Sequence, residues 1–232
     1  MSSPYKLIYF AGRGVAETSR MLFKVADQAF EDYRYPITID NGQYLRPEWD
    51  ADKSKYIYEQ IPVLEIDGGK YTLSQSKAIE RFLARRFNLL GNNDVEAALI
   101  GKMRVAFRRE KNYFERLVCI DAAGEQITDV RTAFNKAKAA GDDAVKKFFD
   151  ENLKKSFAAF EKQADKNQSG YWIGSRLSLF DIQLYNLIQW FEDQETVQKL
   201  LAGNPALKAI YNKVEETPAI KKWLEERPKT PF

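Results

Sequence analysis

Strand-forming patterns gather in the first ninety residues of this 232-residue chain, and from Val95 onward helical periods recur with almost no strand signal. This asymmetry limits the fold more than any other feature. A sheet has to be completed within the first part, and the rest has to bury its apolar faces helix against helix. Tyr5 to Phe10 is a β-prone run halted by Gly12-Arg13-Gly14. Val15, Ser19, Leu22, Phe23 and Ala26 then recur at helical spacing. Phe30 to Tyr35 reads as a second strand stopped by Pro36, and a long polar and aromatic loop runs from Ile37 to Gln60 with Asn41-Gly42 and Pro47 inside it. Ile61 to Ile66 and Lys70 to Leu73 flank Asp67-Gly68-Gly69, which predicts a hairpin. Ala78, Ile79, Phe82 and Leu83 begin another helix. The expected order is β-α-β-loop-β-β-α.

Gly91-Asn92-Asn93-Asp94 reads as a linker into the helical part. Val145, Phe148, Phe149, Leu153, Phe157 and Phe160 form one apolar stripe, and Ile182 to Phe191 is apolar nearly all round, as in a helix at the centre of a bundle. Ser178-Leu179-Phe180-Asp181 ahead of it has capping-box spacing. Helices are also expected over Pro205 to Glu215 and Pro218 to Glu226, each with proline in its first turn. The reading is an α/β domain over residues 1–90 and an all-helical domain over 91–232.

Histidine is absent and cysteine occurs once, at Cys119. These counts exclude a Ser-His-Asp triad, a Cys-His dyad, His-ligated metal, an internal disulfide and a thiolate zinc cage, so no metal is expected. Cys119 lies among Leu117, Val118 and Ile120 and reads as a buried, inert thiol. Lys and Arg total 36 against 33 acids, a balance too even to announce nucleic acid or an anionic membrane as partner. The basic run Lys102, Arg104, Arg108, Arg109 and Lys111 therefore reads as a solvated or interfacial helix face. No leader pattern and no run of about 20 apolar residues is visible, so a cytoplasmic protein is expected.

Four short motifs carry possible chemistry. Gly12-x-Gly14-x-x-Glu17 lies between strand and helix, but a carboxylate at the third position would repel a pyrophosphate. Tyr9, near the end of the first strand, is either a packed strand tyrosine or a phenol able to donate a hydrogen bond to a thiolate. In Gln60-Ile61-Pro62-Val63 a proline opens a strand, and it is either an edge-strand proline of no further meaning or one that leaves the Ile61 backbone free to pair with an extended peptide. Ser74-Gln75-Ser76 precedes a helix, where free amides either are capped by serine or hold a carboxylate. Trp49 and Lys53, four residues apart in the long loop, add an indole N–H and an ammonium, although a loop tryptophan is more often a packing residue than a ligand contact.

Taken in order, these motifs resemble the sigma class of the glutathione transferases. The likeness rests on Lys6-Leu7-Ile8-Tyr9-Phe10, Arg13-Gly14 with Glu17, Phe30 to Arg34, Gln60-Ile61-Pro62-Val63-Leu64-Glu65-Ile66-Asp67-Gly68, and Gln75-Ser76-x-Ala78-Ile79. It resumes at Leu177-Ser178-x-x-Asp181 and Pro218 to Trp223. The tyrosine before Phe10 points to the sigma or the related nematode type. The resemblance implies a thioredoxin-like N-terminal domain, an all-helical C-terminal domain, a homodimer, and glutathione as cosubstrate with an apolar electrophile. Tyr9 would activate the glutathione sulfur. Ile61, beside a cis Pro62, would pair with the cysteinyl part. Gln75 and Ser76 would hold the γ-glutamyl end, and Trp49, Lys53 and Gln60 the glycyl end. The electrophile pocket would draw on Gly12, Arg13, Met103, Phe107 and Phe232.

Three departures from the family pattern stand out. Val15 occupies the place of a second arginine, the loop between Tyr35 and Trp49 is longer, and Arg108 and Arg109 replace family aspartates that reach the neighbouring subunit's glutathione. Other readings are a glutathione-dependent prostaglandin D isomerase, a non-catalytic crystallin-like relative or ligand carrier, and an interaction module of translation complexes.

Overall fold

The structure is a computed structural model that describes residues 4–40, 43–109, 140–152, 154–191 and 194–230. Cys119, Lys111 and Phe232 lie outside the described residues. So do the side chains of Lys102, Met103, Arg104, Phe107, Arg108 and Arg109, although their helix backbone is described. The chain forms two compact units, residues 1–87 with 218–232 and residues 88–217.

In the first unit, β1 (Tyr5–Phe10), β2 (Glu31–Tyr35), β5 (Val63–Ile66) and β6 (Tyr71–Ser74) form one sheet in the order β2-β1-β5-β6. β1 pairs parallel with β2, while β5 is antiparallel to both β1 and β6. The β5–β6 turn falls where Asp67-Gly68-Gly69 predicts it, and Asp67, Gly68 and Gly69 all have positive φ. Between β1 and β2 a single 3₁₀ turn, Gly14–Ala16, leads into α1 (Glu17–Val25), and after β6 comes α3 (Ser76–Arg86).

The stretch expected to be loop carries structure of its own. A short hairpin, β3 (Thr38–Asp40) with β4 (Gln43–Leu45), pairs Ile39 with Tyr44, and α2 (Pro47–Asp52) follows with proline in its first turn. The proline at its start is the local cause of α2. Trp49 on α2 is buried, packed edge-on to Phe10 and Tyr35 and stacked on Tyr56. This aromatic cluster with Ile8 and Val63 roots the segment onto the sheet.

The last helix, α10 (Pro218–Glu226), read from sequence with the helical domain, packs on α1 instead. Trp223 Nε1 and Arg227 Nη1 both donate to Glu17 Oε1, each at 2.9 Å, and the Lys24 ammonium lies 4.9 Å from the centre of the Trp223 ring system. Periodicity shows that a helix has an apolar face but not which neighbour covers it.

The second unit contains α4 (Asp94–Arg109), α5 (Asp142–Asn152), α6 (Lys154–Ala164), α7 (Leu179–Gln189), α8 (Gln194–Ala202) and α9 (Pro205–Glu215). α7 runs through its core, with Leu179, Phe180, Ile182, Leu184, Tyr185, Leu187 and Ile188 buried. The expected capping box is present: Asp181 accepts the Ser178 N–H, the Ser178 hydroxyl and the Trp172 N–H, each at 2.7 Å. Burial pushes the Asp181 carboxyl up to about 6 against these donors. α9 begins at Pro205 without a cap from Asn204. Glu161 of α6 caps it from a distance, accepting the N–H groups of Ala206 at 2.8 Å and Leu207 at 3.0 Å.

Candidate functional site

One end of the first unit's sheet gathers the predicted residues. β1 and β5 run antiparallel with Ile8 opposite Val63, so the next residues, Tyr9 and Pro62, stand at the same end. Val63 is in turn opposite Ser74, which brings the end of β6 and the start of α3 beside them. Tyr9, Ile61-Pro62 and Gln75-Ser76 therefore converge from three separate chain segments. Ile61-Pro62 is the cis peptide bond of the chain's described residues.

Gln75 is the residue at the N-terminus of α3 and has φ 73° and ψ 113°, a conformation that L side chains rarely adopt. Its side chain donates to Gln60 Oε1 at 3.0 Å, tying the two predicted ligand-binding glutamines together. Ser76 is the first helical residue, so the free amides of the α3 N-terminus open beside Gln75. Of the two readings of this helix start, a serine at the cap position is not found: that position is Gln75, whose side chain makes no cap hydrogen bond. Lys53 is half-exposed and 3.7 Å from Asp50, and Trp49 is a core residue of the aromatic cluster.

Tyr9 is buried, only 3% exposed, and packs edge-on to Phe10. Burial pushes its hydroxyl up to about 12, against a hydrogen bond from the Val15 backbone and the charge of Arg20. At neutral pH it is thus a protonated phenol. Its oxygen already accepts the Val15 N–H, so its own hydrogen is available to a second acceptor. A phenol held in this way donates well to a developing anion.

Sequence reading missed two parts of this site. Gly14, at φ +40°, lies so close to Tyr9 that a Cβ there would sit 2.5 Å from the phenolic oxygen. Arg20 has no exposed surface, and its guanidinium carbon is 5.9 Å from the centre of the Tyr9 ring. The sequence signal for Gly14 was the Gly12-Arg13-Gly14 breaker itself. Arg20 gave none, because an arginine in an amphipathic helix is ordinarily solvated. Gly12 is buried and Arg13 half-buried in the same turn. Among the described residues no helix is long and apolar enough to cross a membrane, and no group of acids or cysteine is placed to hold a metal ion.

Comparison with known proteins places this geometry in a lineage. Residues 5–85 match the glutathione S-transferase N-terminal domain, and residues 128–227 match the C-terminal domain of the same family. Glutathione S-transferase 1 of Ascaris suum is 32% identical over 231 residues, covering 98% of each chain. The structure is similar to that of a monomeric glutathione S-transferase from the hookworm Necator americanus, with TM-score 0.75, 31% identity and coverage of 98% and 99%. It is also similar to prostaglandin synthase D of Nilaparvata lugens, with TM-score 0.66, 30% identity and coverage of 97% and 99%. A mixed-sheet first unit, a helical second unit and likeness over almost the whole length make one conclusion: the chain belongs to the glutathione S-transferase family and is an enzyme of that family.

Proposed function

We propose that this enzyme conjugates glutathione to apolar electrophiles, lipid-derived ones among them, and that Tyr9 is its catalytic residue. The observation that carries the reading is the Tyr9 hydroxyl, protonated, accepting from Val15 and so left with a hydrogen to donate. Glutathione would lie extended along Ile61-Pro62, its cysteinyl backbone pairing with Ile61. Its γ-glutamyl carboxylate would meet the free amides and positive dipole end at Gln75-Ser76. The glycyl end would reach Gln60, Lys53 and Trp49. The sulfur would then face Tyr9, whose O–H stabilises the thiolate after its proton leaves to solvent. Thiolate attack forms the C–S bond as the leaving group departs with its electron pair. The electrophile would rest near Gly12 and Arg13. Sigma-class assignment, a homodimeric state and a cytoplasmic, detoxifying role complete the reading. The hookworm relative described as monomeric makes sedimentation of the native protein the test of its assembly.

A second reading has its own support in the likeness to a prostaglandin synthase D. There the same thiolate would rearrange an endoperoxide without being consumed, and product analysis with each substrate separates the two. The decisive experiment is conjugation of glutathione to a chlorodinitrobenzene by native enzyme and Tyr9→Phe. Loss of one preorganised donor to the anion predicts a kcat lower by about 10²-fold. Glutathione affinity should hold. Equal rates in the two proteins would remove Tyr9 from the mechanism.

A further inference from the structure

Arg20 is built into the first unit as no ordinary helix arginine is. Its side chain has no exposed surface, and each edge of the guanidinium but one is occupied. Nε donates to both oxygens of Asp32, at 3.1 and 3.2 Å. Nη1 donates to the Gly12 carbonyl at 2.7 Å, to the Arg13 carbonyl at 3.1 Å and to Glu17 Oε2 at 3.3 Å. Nη2 has no partner among the described residues. A buried guanidinium with an idle nitrogen is a costly way to stabilise a fold, and such exceptions call for another reason.

The two carbonyls supply that reason. They belong to the turn between β1 and α1, immediately before Gly14 and Val15. Gly14 presses on the Tyr9 phenol so closely that it can carry no side chain, and the Val15 N–H is the donor to the phenolic oxygen. Fixing the carbonyls of residues 12 and 13 fixes where residues 14 and 15 meet the hydroxyl. Asp32 on β2 anchors the other edge of the fork, and it is itself gripped by Arg34 at 2.7 Å. Glu17, which shares Nη1, is held from α10 by Trp223 and Arg227. The arginine is thus braced on β2, α1 and α10 and reaches toward one loop. At position 15, where the family resemblance leads one to expect a second arginine, this chain has only the backbone N–H of a valine to offer.

We propose that Arg20 is a positioning residue of the transferase reaction, its planar fork holding the Gly12–Val15 turn so that the Tyr9 hydroxyl is aimed at the glutathione sulfur. The proposal rests on the reading of Tyr9 as the thiolate's hydrogen-bond donor. It requires the fork and not the charge alone: Nη1 serves the Gly12 and Arg13 carbonyls while Nε, on the other edge, holds Asp32, and the single nitrogen of a lysine cannot occupy both places.

The test is the ionisation of enzyme-bound glutathione, followed by thiolate ultraviolet absorbance against pH, in native enzyme, Arg20→Lys and Tyr9→Phe. Arg20→Lys should raise the thiol pKa by about one unit, a tenfold smaller thiolate fraction below the ionisation. The pH profile of kcat/KM should move by the same amount while the glutathione Kd stays near native. Adding Arg20→Lys to Tyr9→Phe should produce no further rise, because both act through one hydroxyl. A folded Arg20→Lys enzyme with the native thiol pKa would overturn the proposal, as would a shift of full size that persists on top of Tyr9→Phe. If Arg20→Lys does not fold, Asp32→Asn loosens the same fork from a part-exposed site. It should raise the thiol pKa in the same direction by a smaller amount, and an unmoved value there overturns the proposal equally. A thiol pKa unaltered by Tyr9→Phe alone would instead refute the role of Tyr9, whatever Arg20 does.

Discussion

Replacing Gly14 by alanine tests the geometry of the Tyr9 hydroxyl through a residue that has no side chain to lose. The added methyl would meet the Tyr9 oxygen at 2.5 Å, Cε1 at 2.7 Å and Cζ at 3.0 Å. Ordinary carbon contacts begin near ~3.5 Å, so the phenol has to retreat by about 1 Å. Alanine at φ +40° also enters the left-handed region, at roughly 1–2 kcal/mol. Overpacking the site adds about 1–3 kcal/mol. For a chain of this size each kcal/mol is about 2–4 °C, so Gly14→Ala should melt roughly 5–15 °C below native. A displacement of about 1 Å at a reacting centre is worth about 10²-fold in rate. Gly68→Ala is the matched control: it has φ +68° with nothing within 4 Å of the new methyl. It should show the backbone cost alone and native kcat. Steady-state conjugation rates and thermal melts of both variants give the comparison. A folded Gly14→Ala enzyme with native kcat would show that the position of the phenol does not set the rate.

Gln75→Gly should raise the melting temperature by a few degrees, since relieving an L residue at φ 73° recovers about 1 kcal/mol or more. The same change should raise KM for glutathione; a variant with lower stability and unchanged KM would contradict both the strain and the ligand role. Asp181→Ala strips three buried donors of their acceptor, and urea unfolding should show a loss of about 3 kcal/mol or more; a loss under 1 kcal/mol would mean that the capping box is dispensable. Tyr9, pushed up to about 12 by burial, retains its proton in the folded enzyme after the unfolded chain has released it near 10. Its contribution to stability is therefore complete below pH 10 and disappears as pH rises toward 12. Difference titration of native enzyme against Tyr9→Phe should show no phenolate from this residue below pH 10, so phenolate growth at neutral pH would refute its burial as described.

Much of this enzyme was readable in its residues because the cues are local. The period of the apolar pattern separated sheet from bundle, Asp67-Gly68-Gly69 marked the β5–β6 turn, and Ser178 with Asp181 marked the start of α7, all found where expected. The order of Tyr9, Gln60-Ile61-Pro62 and Gln75-Ser76 along the chain was enough to indicate the family. Each depends on spacing within one segment, which a sequence displays directly. Tertiary structure alone decided that α10 packs on α1, that Glu161 caps a helix more than forty residues away, and that Gly14 and Arg20 close around the Tyr9 phenol. Those contacts join residues whose individual tendencies do not predict one another. A buried arginine on a helix looks the same in sequence as a solvated one, because its place is set by acceptors on other strands and helices. Only the folded chain brings the carbonyls of Gly12 and Arg13 and the carboxylates of Glu17 and Asp32 to the same guanidinium.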